Sequence, residues 1–246
     1  MNGHDPNKES NAANKGYYMI SSVEKTDTEI KSDVLAELKY EPSVKVTDIG
    51  VLVKDGTVTL NGFATNYGEK WQAVTAAKRV AGVRAIADDI KVKLWDSFVR
   101  TDGEIAAAAA NQIKWSTSIP AGAVKVTLRD GWITLEGEVG WWYEKNAAED
   151  AVKDLTGVLG VSNQITIKSK PSSANIESDI ESAFERNALL DASKIKVETS
   201  GNEVTLRGKV RNYSEREEAE RVAWAAAGVS SVDDQLDIEW FGGFDE

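Results

Sequence analysis

The chain has 246 residues, of which 41% are hydrophobic and 28% are charged, a balance typical of globular proteins that bury a core. Its net charge of −11 argues against nucleic acid as a partner, because affinity for a phosphate backbone comes mainly from Lys and Arg. Cysteine is absent and the one histidine, His4, lies in a polar N-terminal tail, which removes thiolate ligands and the usual His-dependent sites. We therefore expect no catalytic residue, no metal site and no cofactor.

No apolar run approaches the roughly 20 residues that a membrane-spanning helix needs. The first 25 residues are polar and lack the apolar segment of a signal peptide. The sequence therefore predicts a protein without a transmembrane segment that is cytoplasmic, or periplasmic if the chain is a processed form.

Three segments of the chain align with one another without gaps: residues 26–94, 101–169 and 172–240, which we call modules 1, 2 and 3. They follow a polar tail over residues 1–25. Their charge differs: module 1 has 10 basic and 10 acidic residues, module 2 has 6 and 9, and module 3 has 8 and 15. An anionic membrane should therefore meet module 1 or 2 rather than module 3.

Each module opens with an amphipathic helix, because apolar residues recur at every fourth position. The helical positions are Ile30, Val34 and Leu38, then Ile105, Ala109 and Ile113, then Ile176, Ile180 and Phe184. Asp27 and Asp102 stand where an N-cap residue is expected, and Glu29 and Glu104 place negative charge in the first turn.

Two strands with alternating apolar residues follow each helix and predict an antiparallel hairpin. The turns Asp55-Gly56, Asp130-Gly131 and Gly201-Asn202 tolerate the positive φ of primed hairpin turns. A glycine ends each second strand, and another ends the second helix that follows. The nine glycines expected to serve backbone geometry are Gly56, Gly62, Gly82, Gly131, Gly137, Gly157, Gly201, Gly208 and Gly228.

A second amphipathic helix and a last strand complete each module in the order αββαβ. The predicted fold class is α+β, with each module a three-stranded mixed sheet that carries two helices on one face.

The motifs VLVKDGTVTLNG at 51–62, VTLRDGWITLEG at 126–137 and VETSGNEVTLRG at 197–208, with the later AGVRAI, TGVLGV and AGVSSV, resemble the BON domain. The resemblance implies a bacterial protein without catalytic activity that binds phospholipid or helps to maintain the envelope. The three-copy arrangement without a signal peptide looks like the cytoplasmic, stress-associated members of that family.

Aromatic residues at the start of the second helix are the candidate binding residues, because amphipathic rings suit a lipid or protein contact. The alternative is that these rings pack within or between modules. Trp132 is a further candidate, since it should point away from the buried face of its strand. The candidates are Tyr67, Trp141, Trp142, Tyr143, Tyr213 and Trp132.

The leading hypothesis is a non-enzymatic binding protein that contacts a phospholipid surface or a protein partner. One alternative is a self-assembling structural protein, a homo-oligomer or filament that uses exposed aromatic residues. The other is monovalent-cation (potassium) binding, which rests on analogy of fold alone.

Overall fold

The computed structural model describes residues 25–168 and 175–238. Module 1 contains two helices and three strands in the order that the sequence predicts. They are α1 Asp27–Tyr40, β1 Ile49–Lys54, β2 Thr57–Ala64, α2 Tyr67–Lys78 and β3 Ala85–Val92.

Modules 2 and 3 repeat this order. In module 2 the elements are α3 Asp102–Trp115, β4 Val124–Arg129, β5 Trp132–Val139, α4 Trp142–Lys153, β6 Gly160–Asn163 and β7 Thr166–Ile167. In module 3 they are α5 Ile176–Glu185, β8 Ile195–Ser200, β9 Glu203–Val210, α6 Tyr213–Ala225 and β10 Ser231–Ile238.

The central strand of each sheet is the second strand of the hairpin. It pairs antiparallel with the strand before it and parallel with the strand after the second helix. The same register recurs in modules 2 and 3, where Val124 and Ile195 face Gly137 and Gly208 as Ile49 faces Gly62. The predicted α+β fold of three αββαβ modules is confirmed.

Each module has its own core between its helices and its sheet. The predicted apolar face of the first helix lies in that core in all three modules, from complete burial at Ile30 to 9% exposure at Ile113. Small residues on the second helix, such as Ala73 and Ala77, let that helix lie close to the sheet.

The N-caps of the first helices differ from the sequence expectation by one residue. Thr26 and Thr101 are the capping residues, and each forms a capping box with the glutamate three positions later. Asp27 instead accepts hydrogen bonds from the backbone N–H groups of Asp55 and Gly56, at 2.9 and 3.0 Å. Asp102 does the same for the hairpin turn of module 2, so these acids fasten the first helix to the hairpin.

The hairpin turns of modules 1 and 2 have positive φ at both central residues, as their sequences favour, whereas in the turn of module 3 Gly201 has positive φ and Asn202 does not. Asp55 and Gly56 have φ of 51° and 72°, as a type I′ turn requires, and the turn of module 2 repeats these values closely. All nine glycines singled out from the sequence have positive φ, between 63° and 143°. At Gly62 the space is closed as well, because a Cβ atom there would collide with the carbonyl oxygen of Asp48.

The last strand of module 2 is interrupted, although the sequence predicts one strand. Residues Gln164 and Ile165 separate β6 from β7, and both short strands pair with β5. The side-chain oxygen of Asn163 accepts the N–H of Ile165 at 3.3 Å, but Asp88 and Asp234 accept the equivalent bonds in the uninterrupted strands β3 and β10, so this bond does not account for the break.

Candidate functional site

A buried glutamate in the first turn of each second helix fixes the loop that carries the candidate aromatic residues. Glu69, Glu144 and Glu215 are only 3–8% exposed. Each side chain turns back and accepts hydrogen bonds from backbone N–H groups that precede its helix. These three glutamates were not predicted as site residues, although a glutamate at one repeat position in all three modules is a visible signal in the sequence.

Glu69 has both carboxylate oxygens occupied. Oε1 accepts the N–H of Lys45 at 2.8 Å, and Oε2 accepts the N–H and the hydroxyl of Thr65 at 2.7 and 2.6 Å. Burial by itself would raise the pKa of Glu69, but these hydrogen bonds outweigh it and hold the pKa below its ordinary value. The carboxylate therefore joins the chain before β1 to the start of α2.

Glu215 has the same role with added charge. It accepts the N–H of Asp191 at 3.0 Å and both the backbone N–H and the guanidinium of Arg211. Burial again opposes ionisation, and the bonds from Arg211 and Asp191 outweigh it, so the pKa of Glu215 is lowered.

Glu144 lacks one of these donors. Its Oε2 accepts the N–H groups of Gly140 and Trp141 at 2.8 and 3.0 Å. Pro120 stands at the repeat position of Lys45, and proline has no N–H to donate to the second carboxylate oxygen. Module 2 therefore builds the same loop with fewer hydrogen bonds to its glutamate.

The candidate tyrosines pack on neighbouring modules. Tyr67, at the start of α2, contacts the core of module 2, and Tyr213, at the start of α6, contacts the core of module 1. Burial, and next the negative charge of Glu149, raise the pKa of Tyr67. Both rings take the inter-module packing role that was the alternative to ligand contact.

The three adjacent aromatic residues of module 2 lie in different surroundings. Trp142 is half-buried, whereas Trp141 is 41% and Tyr143 is 56% exposed. Trp132 lies apart from them on the open face of the sheet, where its ring covers Gly160 and remains half exposed.

One end of module 2 gathers exposed aromatic side chains. The start of α3 is fastened to the hairpin turn through Asp102, so Trp115 at the other end of this helix lies about 20 Å from the hairpin. Strand β5 also runs away from the hairpin and leads to Trp141 and Tyr143. We call Trp115, Trp141 and Tyr143 the aromatic end of module 2; Trp115 is 82% exposed.

One acid of each of the adjacent pairs Asp88-Asp89 and Asp233-Asp234 forms an ion pair with a lysine or an arginine. Asp88 lies within β3 and pairs with Lys70 at 3.0 Å, and Asp234 lies within β10 and pairs with Arg216 at 2.6 Å. Across residues 25–168 and 175–238, no group of three or more acidic or histidine side chains is placed to hold a metal ion. In the same residues no helix is long and apolar enough to cross a membrane.

Comparison with known proteins identifies a relative of similar sequence. The chain is 31% identical over 150 residues to osmotically-inducible protein Y of Escherichia coli K12, an alignment that covers 58% of this chain and 73% of the relative.

Two solved structures that align with this chain are of CdsD, a structural protein of the type III secretion system of Chlamydia trachomatis. One aligns over 85% of this chain and 91% of its own length with 12% identity and a TM-score of 0.23. The other, its C-terminal domain, aligns over 87% and 98% with 12% identity and a TM-score of 0.24.

The BON domain family matches residues 26–93, 101–169 and 172–239, which is most of the chain and falls once on each module. The protein therefore belongs to the BON domain family.

Proposed function

We propose that this is a non-enzymatic BON-domain protein of bacterial osmotic-stress physiology that contacts phospholipid surfaces through the aromatic end of module 2. The observation that carries the proposal is the exposure of Trp115, Trp141 and Tyr143 at one end of one module. Exposed clusters of large aromatic side chains mark interaction surfaces. The stress role is supported by the similarity to an osmotically inducible protein.

The charge near these side chains favours a lipid surface. Lys114 precedes Trp115 and is exposed, and Lys145 follows Tyr143 by two positions on α4. Aromatic rings with lysines beside them suit the boundary between headgroups and acyl chains, because the rings enter the boundary while the ammonium groups reach the phosphates.

The other candidate residues have different roles in this proposal. Tyr67 and Tyr213 pack on neighbouring modules and are therefore withdrawn from a ligand surface. Trp132 lies at the hairpin, so it faces away from a bilayer that contacts the opposite end of module 2.

Vesicle co-sedimentation of the full chain tests the proposal. We expect binding to vesicles that contain phosphatidylglycerol and weaker binding to phosphatidylcholine vesicles, since the lysines favour anionic headgroups. Trp115→Ala, and the double variant Trp141→Ala with Tyr143→Ala, should each lower the vesicle affinity about tenfold, because each removes aromatic surface that the bilayer buries.

Trp95→Ala is the matched control. Trp95 is 62% exposed but lies between modules 1 and 2 in sequence, away from the aromatic end. Its removal should leave vesicle affinity unchanged. Failure of the unaltered chain to bind either vesicle overturns the lipid contact and directs attention to a protein partner. The cytoplasmic location stays a prediction, and fractionation of the cells that make the protein tests it.

A further inference from the structure

The outward stripe of each second helix is the surface through which the modules meet. Positions i, i+4, i+7 and i+11 of a helix lie along one side of it. The stripe consists of Tyr67, Trp71, Val74 and Lys78 in α2, Trp142, Asn146, Glu149 and Lys153 in α4, and Tyr213, Glu217, Glu220 and Trp224 in α6.

Two inter-module contacts use the same two positions of this stripe. The ammonium group of Lys153 in module 2 lies 3.8 Å from the ring centre of Trp71 in module 1. The ammonium group of Lys78 in module 1 lies 2.5 Å from the carboxylate of Glu217 in module 3. Trp71 and Glu217 share one repeat position, and Lys153 and Lys78 share another. Module 3 therefore meets module 1 in the way that module 1 meets module 2.

The aromatic side chains at the helix starts repeat the same relation. Tyr67 reaches module 2 beside Glu149 and the backbone of Val161. Tyr213 reaches the core of module 1, where Val74 and Ile86 are also packed. Val74 and Ile86 are the module 1 counterparts of Glu149 and Val161. Each tyrosine therefore packs at an equivalent position of the neighbouring module, which we call the seat: the position of Glu149 and Val161 in module 2 and of Val74 and Ile86 in module 1.

The remaining pair of modules is also in contact, and through the same helices. Helices α4 and α6 pack against each other, so modules 2 and 3 meet although each already contacts module 1. When one relation is repeated twice and the two end modules still touch, the arrangement closes on itself.

We infer that the three modules form a closed ring with pseudo-threefold symmetry, in which Trp142 is the third aromatic side chain seated in the next module. Its seat in module 3 is formed by Glu220 and Val232, the counterparts of Glu149 and Val161. Asn146 meets Trp224 in place of the lysine contacts of the other two seams. The partner for this surface of module 2 is the chain's own third module.

The chemistry of this third seam is favourable. The indole N–H of Trp224 donates to Glu220 at 3.3 Å, which restrains the ring beside α6, where it also packs against the core of module 3. An amide N–H of Asn146 can then point at the indole face, a weak but directional contact. Trp142 is half-buried, as a seated ring should be.

The ring also orders the helices head to tail. Gly68, in the first turn of α2, abuts the side chain of Asp154 at the end of α4, so closely that a Cβ atom on Gly68 would collide with it. The N-terminus of one second helix therefore approaches the C-terminus of the next. This order is electrostatically favourable, because the positive end of one helix dipole faces the negative end of another.

Cysteine pairs in the full chain test the ring, since the protein has no cysteine of its own. Each pair is treated with a short bismaleimide, and the fraction of internally bridged monomer is followed by mass spectrometry. The two reference pairs, for the contacts seen directly, are Trp71→Cys with Lys153→Cys and Lys78→Cys with Glu217→Cys. The test pairs are Asn146→Cys with Trp224→Cys and Trp142→Cys with Glu220→Cys.

The control pair joins Thr127→Cys, on the open face of β4, to Trp224→Cys. We expect both test pairs to bridge at rates similar to the reference pairs and at least about tenfold faster than the control, because the ring holds them at high effective concentration. The second test pair keeps Trp224 intact, in case its loss disturbs module 3. Test pairs that bridge at the control rate, while the reference pairs bridge quickly, would show that the ring is open between modules 2 and 3.

Discussion

Replacing the three buried glutamates by glutamine, one at a time, should affect the modules unequally. Glutamine has nearly the same shape as glutamate, but one of its two terminal groups donates hydrogen bonds instead of accepting them. Glu69 receives N–H donors on both oxygens, whereas no backbone N–H is available to Glu144 from residue 120. The same substitution therefore removes more stabilising hydrogen bonds from module 1 than from module 2.

The magnitudes follow from the hydrogen bonds. In Glu69→Gln the amide oxygen can still accept from Thr65, but the amide NH₂ then faces the N–H of Lys45 and leaves it without an acceptor. An orphaned N–H and weaker bonds to an uncharged acceptor together cost about 2–4 kcal/mol. In Glu144→Gln the oxygen keeps both donors and the NH₂ points toward Pro120, so the cost should be about 1 kcal/mol.

Amide hydrogen exchange read by mass spectrometry separates the modules, because each helix is observed in its own peptides. Glu69→Gln should speed exchange in α2 about 30- to 1,000-fold, and Glu144→Gln should speed exchange in α4 about fivefold. Glu215→Gln should resemble Glu69→Gln, because it also loses the ion pair with Arg211.

Pro120→Ala supplies the matched control. It places an N–H where module 1 has that of Lys45, so Glu144→Gln in this background should become nearly as costly as Glu69→Gln. Equal costs for Glu69→Gln and Glu144→Gln in the unaltered chain would refute the reasoning, since the missing donor would then have no effect.

Three further predictions concern pH, glycine geometry and the seam between modules 1 and 2. Because the pKa of Glu69 is lowered in the folded protein, its ionised carboxylate contributes fully to stability above the unfolded pKa of about 4.3. This contribution is lost as pH falls through the folded pKa. Urea titrations should therefore show that the difference in unfolding free energy between the unaltered chain and Glu69→Gln disappears below about pH 4. Gly62→Ala should lower the melting temperature strongly, because φ at this position is 118° and the added Cβ atom would collide with the backbone. Gly103→Ala, in an open position of α3, should instead raise stability by up to about 1 kcal/mol. A similar loss of stability in both variants would contradict the steric argument. A double-mutant cycle of Lys153→Ala and Trp71→Ala should give a coupling energy of about 1 kcal/mol between the two side chains. Additive effects of the two substitutions would rule out the cation–π contact.

The order of elements was predictable because it depends on local patterns. Three patterns depend only on contacts within one module: the alternation of apolar residues in β1 and β2, the Asp-Gly turn between them, and the apolar residue at every fourth position of α1. The cap of α1 was misplaced by one residue because Thr26 and Asp27 are both good capping residues. Only the fold shows that Asp27 reaches a turn 28 residues later.

The surroundings of the candidate residues depend on how the modules are placed, which no local pattern encodes. Tyr67 and Tyr143 both look like exposed aromatic residues near a helix start, yet Tyr67 packs on module 2 and Tyr143 is exposed. Glu69 reads as an ordinary first-turn acid, and its burial comes from the loop that folds over it. The sequence signal that marked these positions is that an aromatic or an acidic residue recurs at the same repeat position in every module.

The contact between Lys78 and Glu217 joins parts of the chain that are 139 residues apart. In a closed ring the passage from the end of β10 to the start of α1 is equivalent to the passage from β3 to α3, which residues 93–101 span. A segment of that length should therefore link the last module to the first, and the chain should tolerate circular permutation at either natural linker. Cutting away module 3, in contrast, uncovers Val74 and Ile86 and should leave a two-module fragment prone to associate through that open seat.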